Sequence, residues 1–241
     1  MLTVEAIPLL EDNYAWWLRD EATGATAVVD AAVPGPVMDH VRARGGRLDW
    51  LWITHHHGDH VAGIPEVAAE TGAKVAGNAA DAHRLPKLDL VFRPGEAITL
   101  GERRATVMDT PGHTRGHVSL HVADGNALFC GDTLFVLGCG RLLEGSAEEM
   151  FASLRAIAAL PDDTRAFCGH EYTLSNIRYA RHLRPDDAAL AEFERECQDK
   201  RARGEPTVPT TIGREKALNP FLRATDAAEF ARLRAGKDSF R

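Results

Sequence analysis

The residue types with the clearest chemical potential stand in one short stretch of the chain: Thr54-His55-His56-His57-Gly58-Asp59-His60. Side chains two positions apart in an extended segment point the same way, so His55 and His57 can coordinate the same metal ion. Gly58 lets the backbone turn, so that Asp59 and His60 can face a neighbouring point. Imidazole nitrogens with a carboxylate oxygen suit zinc, with iron and manganese as alternatives. His56 points the other way, and we do not expect it to be a ligand.

The flanks of this stretch indicate a built site. The apolar run 48–53 predicts a buried strand before it, and the run from Ile64 predicts a helix after it. An affinity tag would stand at a terminus and would not follow an apolar strand. We therefore interpret the stretch as a metal-binding loop at the end of a strand.

Three later residues share this local context, since each follows a glycine close to the end of a predicted strand: His113, Asp132 and His170. In layered α/β folds, the loops at one end of a sheet converge on a site. Seven ligand-type residues are too many for one metal ion and fit two.

The seven ligands divide into two sets and one shared residue. The first set is His55, His57 and His113. The second set is Asp59, His60 and His170. Asp132 has two carboxylate oxygens and can bridge the two ions. Metal ions in such pairs lie about 3.5–4 Å apart, close enough to share a hydroxide.

The elements that must position these residues follow from periodicity and turn signals. The predicted strands are 2–7, 15–19, 25–30, 48–53, 73–77, 91–92, 98–100, 105–108, 118–122, 127–130 and 164–168. The predicted helices follow Pro34-Gly35-Pro36 and Ile64 and cover 146–160, 186–203 and 225–235. We expect an α/β metal-binding domain over 1–170 and a small helical domain over 171–241. Asp30 ends its strand near the presumed site, where it can orient a ligand.

Composition excludes several classes of protein. The chain has 241 residues and a net charge of -7, which argues against a general nucleic-acid-binding surface. No apolar run approaches membrane-spanning length, and the first residues do not read as a secretory signal. The four cysteines match no zinc-finger or redox-pair spacing, so we expect free thiols. We therefore expect a cytoplasmic monomer with no membrane or nucleic-acid partner.

The metal motif resembles that of the metallo-β-lactamase superfamily, which has an HxHxDH signature and a later His, Asp and His. Further stretches resemble glyoxalase II, the hydroxyacylglutathione hydrolase family. They are Gly138-Cys139-Gly140-Arg141, Gly169-His170-Glu171-Tyr172-Thr173 and the tail residues Arg234, Lys237, Asp238 and Phe240. The resemblance covers nearly the whole chain.

The resemblance implies a four-layer αββα sandwich with a dinuclear metal site, most simply zinc, followed by a helical domain. It implies hydrolysis of S-D-lactoylglutathione to D-lactate and glutathione, the second step of methylglyoxal detoxification. Asp59 and Asp132, with a hydroxide between the metals, would be catalytic. The family's substrate contacts correspond to Arg141, Tyr172, Arg234 and Lys237. Many members carry an aromatic residue where this chain has Leu143, so its affinity or thioester preference can differ.

The chemistry is consistent with this resemblance. A hydroxide shared by two metals is a nucleophile at neutral pH and can attack a thioester carbonyl. A thiolate leaves without a protonated general acid, because the pKa of a thiol is about 8.5. Glutathione has two carboxylates, and basic residues at the rim of an acidic protein would complement them.

Three other functions stay open from the sequence. A persulfide dioxygenase of the same superfamily would hold one iron and would need only His55, His113 and Asp132. A β-lactamase would need export, and a non-catalytic metal-binding module would leave an intact ligand set without a use. Metal stoichiometry separates the first of these from the two-metal hydrolase.

Overall fold

The computed structural model describes residues 1–240, and the chain forms two compact units. The first comprises Met1–Asp109 and Gly116–Gly131, and the second comprises Thr110–Arg115 and the chain from Asp132 onward. The ligand candidates before residue 110 belong to the first unit, and those after it belong to the second.

The first sheet of the first unit contains six strands in sequence order. They are β1 (Leu2–Leu9), β2 (Asn13–Asp20), β3 (Thr26–Val29), β4 (Trp50–Trp52), β5 (Lys74–Asn78) and β6 (Leu90–Phe92). The first three pair antiparallel, and β3 to β6 pair parallel. Val29 at the end of β3 stands opposite Trp52 at the end of β4. The residues that follow these two strands therefore emerge side by side.

Four antiparallel strands form the other sheet region of this unit, in the order β10-β9-β8-β7. They are β7 (Ala97–Leu100), β8 (Arg103–Asp109), β9 (Val118–Val122) and β10 (Ala127–Gly131). The hairpin predicted across 124–126 is confirmed, since Ala127 pairs with Val122.

Three helices complete the first unit: α1 (Pro34–Ala43), α2 (Gly58–Val61) and α3 (Ile64–Thr71). Both longer helices begin with a proline in the first turn, where its missing N–H costs nothing. Helix α3 ends at Gly72, whose φ of 73° is the left-handed conformation that closes many helices. Val37, Val41, Ile64 and Val67 turn their apolar faces into a core that also contains Trp17 and Leu51.

The second unit is mainly helical. Its strands are β11 (Leu134–Phe135), β12 (Gly138–Cys139), β13 (Arg165–Cys168) and β14 (Thr210–Thr211). Its helices are α4 (Ala147–Ala158), α5 (Thr173–Leu183), α6 (Ala188–Ala202), α7 (Ile212–Leu218) and α8 (Ala227–Ser239). Ser146 and Glu149 form a capping box at the start of α4. Leu190, Phe193 and Cys197 are buried on one face of α6.

Helices α5 and α7 have no counterpart among the individually predicted helices, although a helical domain is expected over 171–241. The last helix was predicted to end near 235, whereas α8 continues to Ser239 and includes Lys237. Asp226 caps the start of α8 through the amide of Glu229.

All four cysteines are buried. Among residues 1–240, no helix combines the length and the apolar character that a membrane crossing requires.

Candidate metal centre

The first group of ligand candidates follows β4 and leads into α2. The backbone stays extended to His57, whose φ of -61° and ψ of 143° precede the first turn of α2. Asp59 and His60 lie on this short helix, whereas the sequence predicts a loop here. The backbone changes from extended to helical at Gly58, and the His60 ring packs against His55 with 4.1 Å between the ring centroids.

His55 and His57 lie in a geometry that suits a shared ion. Nε2 of His55 lies 3.1 Å from Nδ1 of His57. Two ligand atoms bound tetrahedrally to one zinc ion at about 2.0 Å stand about 3.3 Å apart. His55 is buried, and its other ring nitrogen, Nδ1, lies 3.0 Å from the Thr54 hydroxyl. That contact fixes the ring with Nε2 toward His57.

Asp30 orients His60, as the sequence suggested. Its Oδ2 lies 2.9 Å from His60 Nδ1, and both side chains are buried. The same carboxylate accepts hydrogen bonds from the backbone N–H and the hydroxyl of Thr54, at 2.9 and 2.7 Å. A carboxylate on one ring nitrogen directs the other toward a metal and raises its basicity. Asp30, His55 and His60 also bring their ligand-type atoms within 4.8 Å of one another.

Asp59 is exposed and is positioned by a residue that the sequence analysis missed. Asn13 Nδ2 donates to a carboxylate oxygen of Asp59 at 3.2 Å and to its backbone carbonyl at 3.1 Å. The Asp59 carboxylate stands 3.9 Å from His60 Nε2. Asn13 lies at the start of β2, where a turn signal gave no indication of this contact.

His56 faces another partner, in agreement with the prediction from alternation. Its Nδ1 lies 3.3 Å from Asp81, whose buried carboxylate also binds Arg84. The three consecutive histidines therefore have different surroundings, and only the outer two approach each other as a ligand pair.

In the second unit, His113, Asp132 and His170 come together around a single oxygen. Asp132 Oδ2 lies 3.5 Å from His113 Nε2 and 3.3 Å from His170 Nε2. All three side chains are buried. His113 Nδ1 lies 2.9 Å from the carbonyl oxygen of Arg141, which fixes the ring with Nε2 toward Asp132.

Each unit carries donors of the kinds that bind metal ions. The His55–His57 ligand atoms, at 3.1 Å, and the contacts of Asp132 with His113 and His170, at 3.5 and 3.3 Å, lie near the spacing of about 3.3 Å expected around zinc, while Asp59 and His60 stand farther apart at 3.9 Å. Three of the histidines have one ring nitrogen held by an oxygen of the protein, which leaves the other as the ligand nitrogen. Imidazole and carboxylate donors suit zinc and iron, and the nearby Cys168 thiol instead contacts the His170 carbonyl at 3.4 Å.

The four candidate substrate contacts all lie in the second unit. Arg141 is exposed, and Tyr172 is partly exposed with its ring stacked on His170 at 4.6 Å. Lys237 donates to the carbonyl and the hydroxyl of Ser175, both at 2.9 Å. Burial, with help from the neighbouring Arg234 and Arg178, lowers the pKa of Lys237 to about 8.

Arg234 is a buried residue of α8, although it is charged. It is only 6% exposed. It donates to the Cys139 carbonyl at 2.8 Å and to Asp238 at 2.9 Å. Leu143, the position where the family pattern differs, is exposed.

Two protein-family models cover the chain. The metallo-beta-lactamase superfamily matches residues 10–170, and the hydroxyacylglutathione hydrolase C-terminus matches residues 171–240. A hydroxyacylglutathione hydrolase of Acidiphilium cryptum is 53% identical, across 99% of this chain and 97% of its own length. One from Methylococcus capsulatus is 48% identical over the full length of both.

Solved structures share the fold at low sequence identity. ETHE1 from Myxococcus xanthus has a TM-score of 0.75 and 24% identity, with 99% of this chain and 92% of that chain covered. TTHA1623, crystallised in a di-iron-bound form, has a TM-score of 0.66 and 22% identity, with 91% and 100% covered. The expected fold class, α/β of the metallo-β-lactamase type with a helical C-terminal region, is confirmed.

Proposed function

This chain belongs to the hydroxyacylglutathione hydrolases of the metallo-beta-lactamase superfamily, and we propose that it hydrolyses S-D-lactoylglutathione to glutathione and D-lactate. The observation that carries this proposal is the combination of the two family models over residues 10–240 with relatives of that name along the whole chain. The donor set of each unit supports a metal-dependent hydrolase.

We propose that the ligands of both units form one dinuclear centre. One ion would be held by His55, His57 and His113, and the other by Asp59, His60 and His170. Asp132 would bridge them, which is supported by the position of its Oδ2 between two imidazole nitrogens. We propose zinc as the metal, and the di-iron form of TTHA1623 makes iron the first alternative to test.

The residues of this chain have separate parts in the proposed reaction. When bound, a pair of divalent ions supplies a nucleophilic hydroxide near neutral pH and polarises the thioester carbonyl. The carboxylates of Asp132 and Asp59 would offset the positive charge of the two metal ions beside the reacting carbonyl. They are the proposed catalytic residues. Asp30 and the Arg141 carbonyl hold two ligand imidazoles in orientation. The sulfur leaves as a thiolate, which needs no proton from a general acid because a thiol has a pKa of about 8.5.

We propose that glutathione is held by Arg141, Tyr172, Arg234 and Lys237. The exposure of Arg141 and the positive charge of Lys237 support contacts to the two carboxylates of the peptide. Tyr172 stacks on His170, so a substrate that touches this ring would lie beside a metal ligand. The guanidinium of Arg234 is fixed by Cys139 and Asp238, and its place in this set follows from the family resemblance.

We propose that residues 1–170 form the catalytic domain and residues 171–241 the substrate-binding domain. The two family models support this division, because one ends at 170 and the other begins at 171. We also propose that the enzyme is a cytoplasmic monomer.

A steady-state assay on S-D-lactoylglutathione, with metal analysis of the same sample, tests the proposed function. We expect release of glutathione and two metal ions per chain. One iron per chain, with oxygen consumption on a glutathione persulfide and no thioester hydrolysis, would overturn the proposal in favour of the dioxygenase.

A further inference from the structure

The hairpin of β11 and β12 carries several parts of the proposed site at its open end. Asp132 stands just before β11, and Arg141 stands just after β12. The Arg141 carbonyl also holds the His113 ring at 2.9 Å. The amide of Gly140 donates to the Thr133 carbonyl at 3.2 Å, which joins the two ends. A shift of this hairpin would therefore move a metal ligand, the acceptor of a second ligand and a substrate contact together.

The closed end of the hairpin has an unfavourable backbone. Leu137 has a φ of 53°, in the left-handed region that disfavours residues with a Cβ, and its side chain is fully buried. Such a conformation persists only where the surroundings hold it. Gly138 is also closely approached, since a Cβ there would stand 2.3 Å from Asn176 Nδ2.

Three buried polar side chains from the helical part of the unit hold this turn. Asn176 donates to the Val136 carbonyl at 3.0 Å, and Asn219 donates to the Gly138 carbonyl at 3.0 Å. The amide of Leu137 itself donates to Glu215 Oε2 at 2.9 Å. Glu215 is the only one of the three that is ionisable, and it binds the residue with the unfavourable backbone.

We propose that Glu215 is a positioning residue of the active site, which fixes the turn at Leu137 and thereby the placement of Asp132, Arg141 and the His113 ring. This inference rests on the proposed function for its kinetic consequences. Its consequence for metal retention does not depend on the substrate.

The carboxyl of Glu215 has the right acceptors for this task. It is completely buried and is surrounded by neutral donors. Its Oε1 accepts from the Thr210 hydroxyl at 2.7 Å, and its Oε2 accepts from Leu137 and from Asn219 Nδ2 at 2.8 Å. Asn219 thus connects Glu215 to the Gly138 carbonyl, so one carboxyl organises both sides of the turn. Its removal would take this acceptor from the Leu137 amide and the Thr210 hydroxyl, while Asn219 Nδ2 would keep the Gly138 carbonyl.

The contact to Leu137 is compatible with either protonation state. Burial raises the pKa of Glu215 to about 7, although its hydrogen bonds and the nearby Arg214 act in the other direction. A carboxylate accepts from the Thr210 hydroxyl, whereas a carboxylic acid can donate to that same oxygen. In both states Oε2 remains an acceptor for Leu137. Length, more than charge, is therefore what the site needs from this side chain.

Two substitutions separate length from charge. Glu215→Gln keeps the length, accepts from Leu137 through its carbonyl oxygen and can donate to Thr210. Glu215→Asp keeps the charge but withdraws both oxygens by one methylene. Leu190→Ala, at a buried position of α6, provides a variant with a destabilised core and an untouched hairpin. Glu192→Gln, at an exposed position of the same helix, controls for the loss of one acidic group.

The holoenzyme forms of these proteins are compared below their unfolding transitions, where each is fully folded. Metal retention is measured against a chelator series, and kcat and KM are measured on S-D-lactoylglutathione. We expect Glu215→Asp to lose its metal at a chelator concentration about tenfold lower than the parent does. We also expect kcat/KM to fall about tenfold, as it does when residues that orient metal ligands are changed. Glu215→Gln, Leu190→Ala and Glu192→Gln should remain within about twofold of the parent, a margin small beside that effect.

The result that overturns the proposal is a Glu215→Asp enzyme that retains metal and activity as Leu190→Ala does. A loss of metal and activity in Glu215→Gln that Glu215→Asp does not show would also overturn it, since charge would then matter and length would not. If the parent protein retains two ions but does not hydrolyse the thioester, the proposed function is rejected. The positioning role of Glu215 can still be tested in that case, because metal retention can be compared among the variants without any substrate.

Discussion

The carbonyl oxygen of Arg141 lies 2.9 Å from Nδ1 of His113, so a residue proposed to bind substrate through its side chain holds a candidate metal ligand through its backbone. The side chain of Arg141 is exposed, while His113 is buried. A substitution at this position therefore changes the charge offered to the substrate but keeps the acceptor that orients the ligand ring.

We expect Arg141→Ala to raise KM for S-D-lactoylglutathione with little change in metal content. A hydrogen bond to a charged group contributes about 1.5–3 kcal/mol, so KM should rise about tenfold or more. Steady-state kinetics and metal analysis check this. Arg155→Ala, at an exposed position of α4, is the matched control and should behave as the parent does. Loss of metal from Arg141→Ala would show that the side chain itself supports the centre.

We expect Asp30→Ala to weaken metal binding about 10- to 100-fold, the range for residues that orient metal-binding histidines. Asp30 holds both His60 and Thr54, and Thr54 in turn contacts His55. One substitution therefore releases two proposed ligands. Chelator titration of metal content measures the effect. Asp39→Ala removes an exposed carboxylate from α1 and should leave metal affinity unchanged; an equal loss in both variants would assign the effect to net charge.

We expect His57→Ala to lose metal and His56→Ala to retain it. His57 lies 3.1 Å from the ligand nitrogen of His55, whereas His56 contacts Asp81. Metal content of the two purified variants is the measurement. If purified His56→Ala contains no metal, the assignment of His55 and His57 as the ligand pair is contradicted.

The candidate metal ligands can be picked out from the sequence because their signal is local. A glycine beside His113, Asp132 and His170, and alternation through 55–57, can be recognised without knowledge of the fold. Asp30 was also recognisable, since it directly follows a strand. The register of β3 against β4 then explains why it emerges beside the histidine stretch.

Residues whose role depends on tertiary burial were not predictable in this way. Glu215 stands in the run Arg214-Glu215-Lys216, which has the composition of a solvated helix face, yet it is fully buried. Arg234 has similarly charged neighbours but is held inside by Cys139. Nothing in the local pattern distinguishes these side chains from exposed ones, because the packing that buries them comes from distant segments.

We expect KM for S-D-lactoylglutathione to rise as pH increases through about 8. Burial lowers the pKa of Lys237 to about 8, so this side chain loses its positive charge as pH increases through that value. Only the charged form attracts a glutathione carboxylate. Steady-state kinetics between about pH 7 and about pH 9 measure the change. Lys237→Arg, which stays charged across this range, should give a constant KM.

A small thioester without the glutathione peptide is the control for the Lys237 prediction. This small thioester has no glutathione carboxylate for Lys237 to bind. Its KM should therefore not change as Lys237 loses its proton. A rise in KM on both substrates, or the same rise in Lys237→Arg, would assign the pH dependence to another group.

We expect Glu215→Gln to become more stable relative to the parent as pH rises. Burial raises the pKa of Glu215 from 4.5 to about 7, so the folded protein favours the neutral acid. The stability that this group contributes is fully present below pH 4.5 and is lost as pH rises through about 7. Glutamine does not titrate and mimics the neutral acid, so the loss is confined to the parent. From about pH 5 to about pH 8, the free energy of unfolding should shift by about 2 to 3 kcal/mol in favour of the variant.

Denaturant titrations of both proteins at each pH measure this shift in the free energy of unfolding. The difference between the two proteins cancels the contribution of every titrating group that they share. The control Glu192→Gln should have the same free energy of unfolding as the parent at each pH. If the difference between Glu215→Gln and the parent does not change with pH, the raised pKa of Glu215 is contradicted.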